Sequence, residues 1–227
     1  MEHLSFLLLL LIHLVIPVLL SFQKKVRFGF RLRYMLPASL FSATVFLMWN
    51  WRFAESGIWT YNPTYITGIN LLKVPLEIWL SVFILPFSSV YIYEWLKVRF
   101  ENFEKPTLFL VISLALFVAF AVGAYLFRSR LFSFFTFFLT AIYLGYTIFR
   151  KGFKKHLTKF YLAYLVSLLP FTVVLVIMSL PAMISYDSSH ILQISLLGIP
   201  IECFVYLYLL LLINFTIYEY IGERQYY

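Results

Sequence analysis

Two stretches of the chain place a lone carboxylate at the mouth of an apolar run: VPLEIWL, from Val74, and IPIECFV, from Ile199. Glu77 and Glu202 each stand two residues after a proline. A carboxyl there has two physical uses. Proline fits the first turn of a helix, and an acid in that turn faces the positive end of the helix dipole. In a membrane an ionisable group costs about 2.5–3.5 kcal/mol on insertion scales, and usually marks function. Glu77 and Glu202 are therefore candidate functional carboxyls, with helix initiation as the competing use. A second acidic pair follows in the repeated triplet IYE: Tyr93–Glu94 and Tyr218–Glu219. At 1.5 Å per residue these lie about 25 Å further along their helices, where inner-surface charge competes with a binding role.

The elements that must position these groups are membrane helices. The 227 residues are 63% hydrophobic and 12% charged, with a mean hydropathy of +0.89. A water-soluble domain is closer to half apolar and a quarter charged. Cys203 is the single cysteine, which excludes an internal disulfide and a thiolate metal site. The four histidines share no ligand spacing, and no phosphate-binding glycine loop occurs. No metal and no cofactor are expected. His13, Asn50 and Asn214 fall within apolar runs, where a neighbouring helix is expected to satisfy them. No span carries a central lysine, which disfavours a retinal Schiff base.

Seven apolar stretches are long enough to cross a bilayer, near 3–21, 35–52, 75–96, 107–127, 131–149, 159–181 and 199–220. The first has no basic segment before it and no small-residue cleavage site after it, and reads as a retained span. Of the 18 basic residues, 14 fall in segments that would share one side, among them Lys24, Lys25, Arg27 and Arg31. Arg52, Lys73, Arg128 and Arg130 fall on the other. The positive-inside rule then gives an outer N-terminus and an inner C-terminus. The net charge of +8 faces anionic lipid rather than nucleic acid.

A shift of 125 residues carries Glu77 to Glu202, Pro75 to Pro200, Ile69 to Ile194 and the first IYE onto the second. It also lays KKVRFGFRLR over the basic segment RKGFKKHLT without a gap. The expected fold is all-α: a seven-helix membrane bundle of two parallel three-helix repeats joined by a linking helix. Repeat 1 covers about 1–100, the linking helix about 107–127 and repeat 2 about 128–227. A cavity between the halves, faced by Glu77 and Glu202, is the expected ligand site.

The segment from Gly57 to Leu96 resembles the membrane lycopene cyclase domain of bacteria, archaea and fungi. The resemblance rests on Asn62, Pro63, Tyr65, Thr67, Gly68 and Ile69, then Pro75, Leu76, Glu77 and Trp79, then Tyr93 and Glu94. FYLAYLVSLLPF, IPIE and NFTIYEY are similar to that family's second unit. This chain departs from the pattern at three acids: Ile78, Cys203 and Asn50 stand where the family keeps a carboxylate. Gln193 stands at the position that matches Gly68.

The resemblance implies acid-catalysed closure of ionone rings on a linear carotenoid, with no net redox change. Glu77 would be the leading acid and Glu202 its partner or base. Trp79 and Tyr206, close to those acids, would line the substrate, with Asn62, Tyr65, Tyr93, Glu94, Tyr218 and Glu219 as further binding candidates. A carotenoid or polyprenoid substrate, the lipid bilayer and carotenoid-pathway enzymes are the implied partners, in a prokaryotic cytoplasmic membrane. Two other classes stay open. One is a non-catalytic carotenoid-binding relative, which the missing acids favour. The other is a small-solute transporter with parallel repeats, which the lack of a polar stripe disfavours.

Overall fold

The computed structural model describes residues 2–21, 28–180 and 182–224. Seven α-helices form: α1 (Ser5–Ser21), α2 (Phe28–Glu55), α3 (Leu76–Arg99), α4 (Pro106–Leu126), α5 (Leu131–Phe149), α6 (Leu157–Ser179) and α7 (Ile201–Arg224). Six of them, α2 to α7, are long and apolar enough to cross a membrane. Six of the seven expected spans fall on these helices, and the first falls on α1. α1 has 17 residues and interrupts its apolar run with Pro17. At 1.5 Å per residue it reaches about 26 Å, against a hydrocarbon core of about 30 Å.

Burial sorts the helices. α7 is 72% buried along its apolar window, whereas α4 is 11% buried and hides only Ser113 and Ala124. α7 is thus the centre of the bundle and α4 a peripheral strut. α4 packs antiparallel on α5 at close range: a Cβ added at Gly123 would lie 3.1 Å from the Phe137 ring, and one at Gly145 3.0 Å from Phe117. Small residues at such crossings let backbones approach where no hydrophobic force drives helices together. Polar pins add to the packing. Asn214 of α7 donates to Ser39 and Ser42 of α2, both at 3.1 Å. Ser113, Tyr161 and Tyr208 chain α4 to α6 and α7 through contacts of 2.8 and 2.9 Å. His13 is buried too, but its Nδ1 has no partner among the described residues, contrary to expectation.

One end of the bundle carries short strands that the sequence pattern did not announce: β1 (Trp59–Tyr61), β2 (Asn70–Leu71), β3 (Val74–Pro75), β4 (Ile184–Tyr186), β5 (Ser195–Leu196) and β6 (Ile199–Pro200). They are too short to show alternation. β2–β3 and β5–β6 are hairpins that run straight into α3 and α7. β1 and β4 pair antiparallel across the molecule, with Trp59 opposite Tyr186, Thr60 opposite Ser185 and Tyr61 opposite Ile184. Every strand in the first half has a counterpart 125 residues later, as do α3 and α7.

The backbone repeats in finer detail. The eight described residues with positive φ form four pairs at the same spacing: Gly57 with Ala182, Gly68 with Gln193, Leu72 with Leu197, and Lys73 with Gly198. Gln193 holds φ +61° where Gly68 holds +81°. The conformation persists although the residue suited to it does not.

The opposite end gathers Arg31, Arg33, Lys97, Arg99, Lys105, Arg150, Lys154, Lys155 and Lys159; Lys24, Lys25 and Arg27 lie outside the described residues. Lys159 is no free surface charge. It is buried, and donates to the carbonyls of Phe100 and Phe103 and to Glu104 at 2.7–2.8 Å, fastening the α3–α4 turn to α6.

Gly68 faces open space, so a side chain there meets only backbone strain. A left-handed non-glycine residue costs roughly 1–2 kcal/mol. Gly68→Ala is expected to lower stability by about 1 kcal/mol, read as an earlier thermal unfolding transition in detergent.

Candidate functional site

Glu77 and Glu202 begin from the same local geometry. Each lies in the first turn of its helix, fully buried. Glu77 Oε1 accepts the amide of Thr67 at 2.7 Å, and Glu202 Oε1 accepts the amide of Leu192 at 2.7 Å. Beside them the amide of Leu76 donates to Ile69, and that of Ile201 to Ile194. Each carboxylate therefore ties the loop before its hairpin to the helix after it. Glu202 carries one further bond, donated by the Ser133 hydroxyl of α5. The Oε2 atoms of both are buried without a partner among the described residues.

A cavity of about 100 Å³ lies at this end, between the halves and under the β1–β4 ribbon. Its walls include Asn50, Trp59, Tyr61, Ile78, Tyr186, Cys203 and Tyr206, backed by apolar residues of α1, α3 and α6. Several of these are counterparts 125 residues apart: Trp59 and Ile184, Tyr61 and Tyr186, Ile78 and Cys203, Ser81 and Tyr206, Asn50 and Leu175. The cavity thus lies where the two halves meet. Ile78, Cys203 and Asn50, the three positions where acids were expected, all face it.

Glu77 and Glu202 do not line this cavity, which corrects the expectation that both face it. Their bonds to Thr67 and Leu192 commit them to the loops, and the following residues, Ile78 and Cys203, present the side chains to the cavity. Among the expected binding residues only Tyr206 reaches it. Tyr206 donates to Asn50 Oδ1 at 2.9 Å. The Trp79 indole donates instead to the Leu71 carbonyl at 3.2 Å, bracing the first hairpin. Asn62 caps the turn at Pro63–Tyr65 by accepting the amide of Thr64, and the partly buried Tyr65 packs beside it. Sequence reasoning missed Tyr61 and Tyr186. Their 125-residue spacing was the available signal.

Tyr93, Glu94, Tyr218 and Glu219 form a separate cluster at the basic end. Tyr218 donates to Glu94 at 2.9 Å, while the Tyr93 hydroxyl lies 3.3 Å from His156 Nδ1. Lys97 bridges Glu94 and Glu219. Arg31 pairs with Glu94 at 3.5 Å, and its counterpart 125 residues on, His156, lies 3.8 Å from Glu219. His156, Glu219 and Glu223 bring potential metal-ligand atoms within 4.8 Å of one another. Lys97 and Lys155 already occupy those carboxylates, so the cluster is built as an ion network.

Outside the spans, Asp187 in the loop after β4 accepts the amide and hydroxyl of Ser189, which hold its carboxyl below the usual range. Burial pushes the phenols of Tyr61 and Tyr186 up, so both remain O–H groups at neutral pH.

Lys97 is the cation common to both buried glutamates. Removing one member of such a pair leaves charge uncompensated and typically costs about 3–5 kcal/mol. Lys97→Met is expected to lower stability by roughly 3 kcal/mol. Glu219→Gln in the same chain should recover part of that loss, measured by thermal unfolding in detergent.

A family model described as lycopene cyclase matches residues 3–96 and 129–221. The two matched segments fall on the two halves and leave out the stretch that contains α4. No curated protein and no solved structure matches the chain. With most of its length matched, and six helices fit to cross a bilayer, this helical membrane chain belongs to the lycopene cyclase family.

Proposed function

We propose that the chain takes the end of a linear carotenoid into the cavity between its halves and closes a β-ionone ring there. The observation that carries this reading is the apolar, aromatic cavity flanked by the matched first turns of α3 and α7. Ring closure begins when a proton adds to the terminal double bond and leaves a tertiary cation. The neighbouring double bond attacks that cation, forming the ring bond and moving the charge into the ring. Loss of a ring proton then restores a double bond. Atoms and charge balance without a redox partner.

Glu77 would donate the proton and Glu202 would accept one. Both retain an oxygen without a partner, the atom through which a proton would move. The extra donor on Glu202, Ser133, fits it to the accepting role. Trp59, Tyr61, Tyr186 and Tyr206 offer aromatic faces, each worth roughly 0.5–2 kcal/mol to a nearby cation. A groove of about 290 Å³ adjoins the cavity between α6 and the β5–β6 hairpin, sharing Leu175, Met178, Ile184 and Tyr186, and would admit the chain from the side.

The same reading takes the fold as a duplicated three-helix unit, α1–α3 and α5–α7, joined by α4, with α1 as the seventh span. The central pair of β1 and β4, Thr60 and Ser185, are counterparts, as a two-fold axis along the membrane normal requires. The clustering of cations at one end supports an inner C-terminus. Pathway enzymes in the same membrane would supply the carotenoid.

A second reading is favoured by one observation: no carboxylate lines the cavity. A chain end would then be bound without being cyclised.

Expression in a lycopene-accumulating bacterium, with pigment analysis, separates the two. Cyclic carotenoid is expected from the unaltered chain and none from Glu77→Gln, which keeps shape but cannot donate a proton. Glu202→Gln is expected to be impaired, and Ile78→Glu, which puts an acid on the cavity wall, to raise the yield. If neither the unaltered chain nor Ile78→Glu combined with Cys203→Asp and Asn50→Asp makes a ring, the binding reading replaces the enzyme.

A further inference from the structure

The cavity wall is chemically lopsided. Asn50 is 3% exposed, and its Oδ1 is taken by the Tyr206 hydroxyl. Its main-chain carbonyl is taken by the Trp59 indole at 3.2 Å. The NH2 group of the same side chain donates to nothing among the described residues, although it belongs to a cavity-lining residue. The Tyr186 hydroxyl lies 3.3 Å from Cys203 Sγ, a weak partner for a phenol. The Tyr61 hydroxyl makes no hydrogen bond among the described residues. Burial keeps Tyr61 and Tyr186 in the O–H form, so both remain donors.

The opposite wall offers little in return. Leu175 takes the place that corresponds to Asn50, Ile78 the place of Cys203, and Ser81 the place of Tyr206. Ser81 has already given its hydrogen to the Ile78 carbonyl at 2.8 Å. The cavity therefore holds a surplus of N–H and O–H donors, Asn50 on the wall of α2 and α7 and Tyr61 and Tyr186 one from each half, against apolar surface from α3 and α6. A buried donor left without an acceptor is costly, and native interiors seldom tolerate it. A hydrocarbon end would leave all of these donors unmet. An end with a lone-pair oxygen would meet them while its carbon chain covered the apolar wall.

The geometry points to a polyprenoid whose bound end carries a hydroxyl or carbonyl oxygen that accepts from Asn50 Nδ2, in a cavity that Tyr61 and Tyr186 also line. This rests on the reading of the cavity as the polyprenoid site and narrows its substrate class. The reaction that supplies such a substrate must then oxidise the chain end beside the terminal double bond, leaving that bond in place for ring closure. Asn50 is a suitable anchor because an amide presents donors whatever the pH.

Purified full-length protein in detergent can be titrated with two pigments: lycopene, and rhodopin, the lycopene hydrate with one tertiary hydroxyl. Quenching of tryptophan fluorescence gives each Kd, and Trp59 lies in the cavity wall. Rhodopin is expected to bind about tenfold more tightly, the effect of meeting a buried donor. Asn50→Leu should remove that preference, read as the ratio of the two Kd values measured on the variant itself. Should Asn50→Leu unfold, the double variant Tyr61→Phe with Tyr186→Phe keeps ring shape and should cut the preference at least threefold. Equal affinities in the unaltered protein would overturn the inference, since the donors must then be met by water. So would a preference that survives both sets of variants. If neither pigment binds, the polyprenoid reading of the cavity fails and this inference goes with it. If both bind alike, only the oxygen is lost.

Discussion

A single contact governs the ribbon-bearing end: a buried carboxylate in the first turn of a helix accepts an amide from the loop ten residues before it. Thr67 gives to Glu77 and Leu192 gives to Glu202, at the same distance. A loop that dips toward a membrane core must satisfy its backbone within the protein. Without an acceptor at that place, each loop would lose its anchor to α3 or α7. The hairpins β2–β3 and β5–β6 would lose their footing, and the ribbon above the cavity would lose its supports. The two uses of a glutamate at a helix mouth are therefore not exclusive. The structural use is present in full, and any chemical use must work through the oxygen that the loop leaves free.

The other end is held by charge. Glu94 and Glu219 lie toward the ends of α3 and α7 with Lys97 between them, flanked by Arg31 of α2 and by His156 at the N-terminal cap of α6. Glu94 thus has Arg31 beside it, Glu219 has the His156 ring, and Lys97 is shared. The arrangement neutralises groups that a bilayer would otherwise reject. It also places the IYE triplets far from the cavity, on the structural side of the molecule. The bundle is fastened at both ends, and the cavity occupies the space between α1–α3 and α5–α7 where neither fastening intrudes.

Much of this was legible in the residues. Six of the spans followed from hydropathy, and the 125-residue spacing read from matched letters such as Glu77 with Glu202 recurs in the strands and the positive-φ positions. The strands were not legible, because WTY and ISY are too short for a period to appear, and their pairing joins segments far apart in the chain. The cavity was legible in one respect only: the positions where acids were absent, Asn50, Ile78 and Cys203, turned out to face it. The direction of the glutamates was not. A letter in the first turn of a helix does not say whether its side chain turns back to the loop or forward into the bundle. A bond to Thr67, ten residues upstream, is a fact of folding that local sequence does not carry.

The register of β1 against β4 has a consequence for ancestry. The central pair, Thr60 and Ser185, occupies the same place in each half. A strand that pairs with its own equivalent needs no dissimilar partner, so one three-helix unit could have closed its edge against a second copy of itself, as isologous dimers do. In such a dimer every change in the gene appears twice, and a gain on one wall is imposed on the other. Joining two such copies into one polypeptide would lift that restriction. One half is free to keep Asn50 and the other Leu175; one keeps Ser81 and the other Tyr206. Asymmetry of that kind lets a chamber of paired origin tell the two faces of its contents apart.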